Sequence, residues 1–208
     1  MPSISYAITA KDEHAELERL LDILVKYIRP VDEIVVQLDT TATEEVVKVA
    51  SKYNIGQPFE YHRVYATLNK DFASFKNNLS KHCTRDYIFQ IDADEYPTTW
   101  LLENLPAILD HNYDVDVFLV PRINTVEGIT PEHIKKWGWN YENGRVNFPD
   151  NQWRIWKNKP EIYWINKVHE KLTGYMQFTN LPPFDECCLI HPKTISRQEK
   201  QNQFYNSI

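Results

Sequence analysis

The first 121 residues alternate between apolar, strand-like segments and amphipathic, helix-like segments, and this alternation constrains the fold more than any other feature. Strands are predicted at 3–9, 33–38, 59–64, 87–92 and 115–121, and helices at 13–28, 44–50, 72–82 and 98–109. Strands that alternate with helices form right-handed βαβ units around a mainly parallel sheet. We therefore expect an α/β fold, a single domain over residues 1–208, with helices flanking the central sheet.

Helix starts are predicted from capping residues. Thr41 followed by Glu44 has the pattern of a capping box. Asp71 is expected to cap the third helix, and Thr98 or Thr99 the fourth.

After Arg122 the pattern changes to scattered tryptophans and prolines, which predict short strands and loops, followed by a short polar helix over 196–204. Most of the tryptophans are expected to fill the core. Trp137 and Trp139, which flank Gly138 in a polar stretch, are the best candidates for walls of a sugar-binding site, because indole faces match the C–H faces of pyranoses.

A cluster of carboxylates follows the fourth predicted strand directly. The apolar run Tyr87-Ile88-Phe89-Gln90-Ile91 ends in Asp92-Ala93-Asp94-Glu95. Crowded carboxylates repel each other unless a cation neutralises them, and hard oxygen ligands suit Mg²⁺ or Mn²⁺ better than zinc. Thr9 and Asp39 end two other predicted strands, and ligands gather at the carboxyl ends of parallel strands. The sequence therefore predicts a metal-dependent site there, for a nucleotide-linked substrate.

Composition excludes several classes of function. The net charge of −6 argues against a broad nucleic-acid or anionic-membrane surface. No apolar run approaches the ~20 residues that span a bilayer, and the first residues show no signal peptide. The three cysteines form no disulfide framework and lack zinc-ligand spacing, which favours a reducing, cytoplasmic location.

Glycine is scarce, at 5 residues, and none forms a GxGxxG or Walker A loop. A glycine-rich cradle for phosphates is therefore excluded. A bound diphosphate must instead be neutralised by a metal ion and by side chains.

Several segments together resemble glycosyltransferase family 2, whose members are inverting sugar-nucleotide enzymes of the GT-A fold. The segments are Tyr6-Ala7-Ile8-Thr9-Ala10-Lys11-Asp12-Glu13, Val35-Val36-Gln37-Leu38-Asp39, Asp71-Phe72-Ala73-Ser74-Phe75-Lys76-Asn77 and Tyr87 to Glu95, which looks like the DXD motif of the family. Two further segments, Gln152-Trp153-Arg154-Ile155-Trp156 and Val168-His169-Glu170, are similar to those of small members that resemble lipopolysaccharide-core glucosyltransferases.

The resemblance implies roles for individual residues. Donor binding is expected from Thr9, Lys11, Glu13, Asp39, Lys76, Asp92, Ala93, Asp94 and Arg154. The metal ligands are expected to be Asp92, Asp94 and His191, and an imidazole ligand favours Mn²⁺ over Mg²⁺. Glu170 is expected to be the catalytic base.

Each of these roles has a structural alternative. Asp39 would otherwise cap the next helix, His191 would be an ordinary loop histidine, and Glu170 would be a surface acid paired with Lys167 or Lys171. Residues 1–121 would bind the nucleotide sugar, and residues 122–208 would supply the acceptor and catalytic part.

The resulting hypothesis is an inverting, metal-dependent transfer of a hexose from a UDP-hexose to an acceptor hydroxyl. The acceptor would be a glycan, a lipid-linked glycan or a protein. A nucleotidyltransferase, which also uses strand-end acids and metals, is the second hypothesis. A noncatalytic nucleotide- or sugar-binding module is the third.

Overall fold

The computed structural model describes residues 1–53 and 56–205, without the side chains of residues 204 and 205. Its elements in chain order are β1 (Ile4–Ala10), α1 (His14–Tyr27), β2 (Glu33–Asp39), α2 (Glu44–Lys52), β3 (Glu60–Ala66), α3 (Phe72–Ser80), β4 (Tyr87–Asp92), β5 (Tyr96–Pro97), α4 (Thr99–His111), β6 (Val117–Glu127), α5 (Pro131–Trp137), β7 (Tyr141–Glu142), β8 (Arg145–Lys157), β9 (Tyr163–Ile165), β10 (Lys171–Thr173), β11 (Phe178–Asn180), β12 (Leu189–Thr194) and α6 (Ile195–Tyr205). No helix in these described ranges is long and apolar enough to cross a membrane.

The central sheet has the strand order β3-β2-β1-β4-β8-β6-β12-β5, and β9 and β10 form a separate hairpin. Strands β3, β2, β1 and β4 are parallel, as the alternating pattern requires. Strand β8 runs antiparallel between β4 and β6, whereas β12 is parallel to β6. The predicted single α/β domain with a mainly parallel sheet is confirmed.

Alternate residues of the strands bury opposite faces of the sheet. In β1, Tyr6 and Ile8 belong to the core cluster that includes α1 and α4, whereas Ala7 belongs to the cluster on the other face. This second cluster includes α3 and the β9–β10 hairpin, with Trp156 and Trp164 at ring centroids 5.5 Å apart. The hairpin therefore packs on the sheet face that also holds α3.

The prediction of short strands and loops after Arg122 is wrong for two elements. Strand β6 does not end at residue 121 but continues to Glu127, so the proposed division of the chain falls inside this strand. Strand β8 has 13 residues and lies in the middle of the sheet. Its polar and apolar residues alternate irregularly, because β8 pairs with β4 at one end and with β7 at the other.

The structure corrects one predicted helix cap and confirms two. Helix α2 is capped by Thr43, whose side chain accepts a hydrogen bond from the Val46 amide, and not by Thr41. Asp71 caps α3 and Thr98 caps α4, as predicted. The polar helix predicted at 196–204 is observed as α6.

Candidate active site

A cleft of about 430 Å³ opens beside the carboxyl ends of the parallel strands. Six of the predicted site residues line it: Lys76, Asp92, Asp94, Arg154, Glu170 and His191. They come from α3, the end of β4, β8, the β9–β10 hairpin and β12. Residues from Lys76 to His191, far apart in the chain, are therefore brought to one cleft.

Asp92 is held by several donors. Its Oδ1 accepts hydrogen bonds from the Thr9 hydroxyl at 3.2 Å and from Gln90 Nε2 at 2.8 Å. Its Oδ2 accepts one from Arg154 Nη2 at 2.7 Å. Burial raises the pKa of Asp92, but the positive charges of Arg154, Lys76 and Arg122 together outweigh burial and hold the pKa well below its usual value. Asp92 is therefore ionised and oriented by protein groups.

Glu95 is the centre of a buried ionic network. Its side chain is fully buried, and its Oε1 accepts hydrogen bonds from Arg122 Nη1 and from Arg154 Nη2, both at 2.6 Å. Arg122 also donates two hydrogen bonds to Asp150. Burial would destabilise each of these charges alone, so the network holds only while its partners are all present.

His191 of β12 faces Asp94, which follows β4, in the same cleft. His191 Nε2 lies 3.2 Å from Asp94 Oδ2, and His191 Nδ1 lies 2.7 Å from Asn124 Oδ1. Asn124 Nδ2 donates to Asp150 Oδ2 at 2.8 Å, which makes its Oδ1 the acceptor for the His191 Nδ1–H. Burial lowers the pKa of His191, which favours the neutral ring. The lone pair of Nε2 then points at a carboxylate oxygen.

Two lone pairs at this distance require a cation or a proton between them. The Asp94 carboxylate is ionised at neutral pH, and its Oδ2 also lies 3.5 Å from Arg197 Nη2. Two ligand atoms 3.2 Å apart can share one ion that binds its ligands at about 2.0–2.2 Å. Asp94 and His191 therefore fit a divalent metal ion.

Asp92 is not part of a preformed three-ligand group with these two residues. In the described ranges, the one group of three acidic or histidine side chains whose ligand atoms all lie within 4.8 Å of one another is Glu33, Glu60 and His62. Arg85 already neutralises that group, at 3.0 Å from Glu60 and 3.7 Å from Glu33. The role of Asp92 as a metal ligand stays a prediction.

Glu170 lies in the loop that joins β9 to β10. Two residues of this loop, Asn166 (φ 71°) and His169 (φ 54°), adopt the left-handed backbone conformation that non-glycine residues rarely adopt. The loop turns the Glu170 side chain into the cleft, where its Oε1 accepts a hydrogen bond from Lys76 Nζ at 2.5 Å. Glu170 is therefore paired with Lys76 of α3, not with Lys167 or Lys171, the partners considered from the sequence.

The remaining predicted donor-binding residues lie at the strand ends, outside the lining of the cleft. Asp39 accepts hydrogen bonds from the amides of Thr41 and Leu68 at 2.8 Å each. Burial raises the pKa of Asp39, but the hydrogen bond from the Thr41 hydroxyl, together with those from the two amides, lowers it below its usual value. Asp39 thus orders two loops and does not cap α2.

Three other predicted residues lie near the start of α1 and the end of β4. The Glu13 carboxylate accepts hydrogen bonds from the amides of Lys11 and Asp12 and lies 3.4 Å from Arg197. Ala93 is buried, and its amide donates to the Thr9 carbonyl at 3.2 Å. These contacts order the loop after β1 next to Asp92.

Sequence reasoning missed the residues that hold the predicted ones in place. Arg122 and Asn124 lie on β6, and Asn124 is paired with His191 across the β6–β12 ladder. Nothing local in the sequence marks them, because their roles depend on the register of two strands. Of the two tryptophans proposed as walls of a sugar-binding site, Trp139 lines the cleft. Trp137 packs against the Trp139 ring, with the ring centroids 4.6 Å apart.

Comparison with known proteins identifies the family and the fold. The model of the family described as "Glycosyl transferase family 2" matches residues 5–188. The crystal structure of S. aureus TarS 1–349 in complex with UDP is similar, with a TM-score of 0.63, 16% identity, and coverage of 91% of this chain and 60% of that chain. The complex of TarS 1–349 with UDP-GlcNAc gives a TM-score of 0.62 at 15% identity, over 93% and 59% of the two chains. The chain thus spans about 60% of the length of TarS 1–349.

At such low identity the structural likeness shows the fold alone. The match to the family model is independent of the structural comparison and covers most of the chain. The predicted GT-A fold is confirmed. This chain belongs to glycosyl transferase family 2.

Proposed function

We propose that this chain is a metal-dependent, inverting glycosyltransferase that moves a hexose from a UDP-sugar to an acceptor hydroxyl. The observation that carries the proposal is the convergence of Asp94 and His191, with Oδ2 and Nε2 3.2 Å apart, in the cleft that also contains Glu170. A metal ligand pair and a carboxylate base are the two groups that this reaction requires.

Asp94 and His191 would hold Mn²⁺ or Mg²⁺, with Asp92 as the further predicted ligand. When bound, the ion supplies Lewis-acid stabilisation to the diphosphate as negative charge develops on it. Arg154 is buried, and its guanidinium is already paired with Asp92 and Glu95. This pairing supports a role for Arg154 in positioning groups at the donor diphosphate, and not a direct two-pronged contact with the phosphates. Asp39, Thr9, Lys11, Glu13 and Ala93 would shape the nucleoside side of the site.

Glu170 would accept the proton of the acceptor hydroxyl. As the hydroxyl oxygen forms a bond to the anomeric carbon, the bond from that carbon to the diphosphate oxygen breaks, and UDP leaves with the electron pair. Attack from the face opposite the leaving group inverts the anomeric configuration. Of the acids in the cleft, Asp150 accepts hydrogen bonds from Arg122, Asn124 and Gln152 and has little capacity left for this role.

The nature of the donor is supported by the TarS complexes, which contain UDP or UDP-GlcNAc. A UDP-hexose, with UDP-glucose as the first choice, is the donor that we propose. The acceptor would be a glycan, a lipid-linked glycan or a protein. Cys83, Cys187 and Cys188 are free and buried, which is compatible with the reducing environment of the cytoplasm.

The test is UDP release from UDP-glucose and UDP-GlcNAc, measured with Mn²⁺, with Mg²⁺ and after chelation. We expect release that requires the metal and is lost in Asp94→Ala, together with metal-dependent UDP binding by calorimetry. Asp110→Ala is a matched control, because Asp110 is an exposed acid on α4. UDP binding that is unaffected by Asp94→Ala would contradict the proposed metal site.

The same experiment separates the alternatives. A noncatalytic module would bind UDP tightly and release none from UDP-sugars. A nucleotidyltransferase would prefer a nucleoside triphosphate to a UDP-sugar, and pyrophosphate would be its product.

A further inference from the structure

Helix α3 supports the segment that carries Glu170 at three points. The amide of Phe72 donates to the Lys167 carbonyl at 3.0 Å. The side-chain amide of Asn77 exchanges two hydrogen bonds with the main chain of Trp164, both at 2.8 Å. The third point is Lys76, whose ammonium donates to Glu170. These contacts fix the β9–β10 hairpin and its loop relative to the sheet.

Lys76 is a buried cation with a restricted position. Its side chain is 8% exposed and that of Glu170 is 16% exposed. The ammonium lies 2.5 Å from Glu170 Oε1 and 4.6 Å from the centroid of the Trp164 ring. An ammonium over an indole face is further stabilised by a cation–π interaction. Lys76 is therefore held by a ring on one side and directed at a carboxylate on the other.

We propose that Lys76 is a positioning residue for Glu170, which fixes the base in the cleft, and that it is not the donor contact suggested by its place in the sequence. This inference rests on the proposed function, because it assigns a role toward the proposed base. A buried carboxylate whose cation is removed must move to reach water or another donor. Glu170 lies in an irregular loop, in which Asn166 and His169 have left-handed backbone.

A donor contact and a positioning residue predict different measurements. Loss of a donor contact weakens UDP binding. Loss of a positioning residue leaves UDP binding intact and lowers turnover, because a base displaced by about 1 Å can cost about 100-fold in rate. The experiment therefore measures the dissociation constant for UDP with Mn²⁺ by calorimetry and turnover as UDP release from UDP-glucose.

The variants are Lys76→Met, Lys76→Gln and Lys76→Arg, with Lys81→Met as the matched control, because Lys81 is exposed at the end of the same helix. We expect Lys76→Met and Lys76→Gln to lower turnover about 100-fold with UDP affinity within about twofold of wild type. Lys76→Arg keeps the charge, and its turnover is expected to be at least about tenfold higher than that of Lys76→Met. Lys81→Met is expected to match wild type.

A double-mutant cycle with Glu170→Gln distinguishes positioning from a general structural role. If Lys76 acts through Glu170, Lys76→Gln lowers the residual rate of Glu170→Gln by no more than about threefold. An equal loss in both backgrounds, or UDP affinity weakened in proportion to turnover, would overturn the assignment. Because UDP affinity and thermal unfolding are measured for each variant, a misfolded Lys76→Met is recognised, and Lys76→Gln then decides the outcome. Absence of UDP release by the wild-type protein would instead count against the proposed function itself.

Discussion

The two regions of this molecule contribute opposite charges to the cleft. The first region, residues 4–111, supplies the acids Asp92, Asp94 and Glu95 at the end of β4. The second region, residues 117–205, supplies the groups that face them, which are Arg122, Arg154, His191 and Arg197. The second region thus provides the counter-charges of the acid cluster, and its His191 faces Asp94 at the proposed metal site.

The two regions also differ in how their backbone is built. In the described residues, the first region has left-handed backbone at Asn69, Lys70 and Gly56, whereas the second has it at Gly128, Gly138, Asn143, Gly144, Asn147, Asn166, His169 and Gly174. The first region is determined by regular apolar patterns. The second is built from turns that set the direction of individual side chains, so its geometry is less visible in the sequence.

One ion pair reverses this charge distribution. The acid is Glu170 of the second region, and the cation is Lys76 of the first. The proposed base is therefore paired with Lys76, whereas Asp92 is paired with Arg154 and Asp94 faces His191.

The largest expected effect concerns this reversed pair. Glu170→Gln should lower turnover by about 10²–10⁴-fold, the usual contribution of a general base, with UDP affinity unchanged. The measurements are UDP release from UDP-glucose and calorimetric binding of UDP with Mn²⁺. Glu161→Gln, an exposed acid close in sequence, is the control. Turnover near that of wild type would remove Glu170 from the role of base.

The charge pairing between the regions is tested by Arg154→Met, which leaves Glu95 and Asp92 without a shared cation. We expect the free energy of unfolding to fall by about 3–5 kcal/mol in urea denaturation, because a buried charge loses its partner. Arg145→Met is the matched control on the same strand, since its partner Asp185 is 65% exposed, and should cost at most about 1 kcal/mol. Equal effects of the two substitutions would show that the network does not stabilise the fold.

The turns of the second region are tested by Gly174→Ala, just after β10. A Cβ at Gly174 (φ 81°) would lie 1.6 Å from the Glu161 carbonyl oxygen, so backbone must move. Gly144 has a similar φ of 79° and nothing within 4 Å of its Cβ position. We expect Gly144→Ala to cost about 1–2 kcal/mol and Gly174→Ala more than about 3 kcal/mol in the free energy of unfolding. The difference between these two losses of free energy measures the cost of the steric clash at Gly174.

The orientation of His191 is tested by Asn124→Ala. Loss of the acceptor for His191 Nδ1–H should weaken Mn²⁺-dependent UDP binding by about 10–100-fold, as for other groups that orient a metal ligand. Asn151→Ala, an exposed asparagine on β8, is the control. Unchanged affinity in Asn124→Ala would mean that His191 does not bind the ion.

The smallest expected effect is a pH dependence in the second region. Asp116 accepts hydrogen bonds from Lys157 and Lys159 and from the Met176 amide. Burial raises the pKa of Asp116, but these partners lower it below its usual value. A lowered pKa contributes stability above the unfolded-state value of about 3.9, and this stability is lost as the pH falls below about 4. Asp116→Asn should therefore lose less stability on acidification than the wild type does. The measurement is the thermal unfolding temperature of both proteins between about pH 3 and pH 5, the range in which carboxylates titrate.

Much of the fold was predictable from local pattern, and the site only in part. The strands and helices up to residue 121 follow from local pattern, because β2 is a continuous run buried on both faces of the sheet and burial recurs every three to four residues along α1. The continuation of β6 and the length of β8 were not predictable, because these strands carry polar residues that pair with distant partners. Motifs predict six of the residues that line the cleft, but they do not predict Arg122, Asn124 or the pairing of Lys76 with Glu170.

The sequence by itself determined the order of the βαβ units and the position of Asp92, Asp94 and Glu95 at the end of a buried strand, because these depend on neighbours a few residues away. The tertiary structure decided which group faces each acid. Arg154 and Asp92 are 62 residues apart, and His191 and Asp94 are 97 apart. Such contacts depend on strand register, since a shift of one residue would turn each side chain to the other face of the sheet.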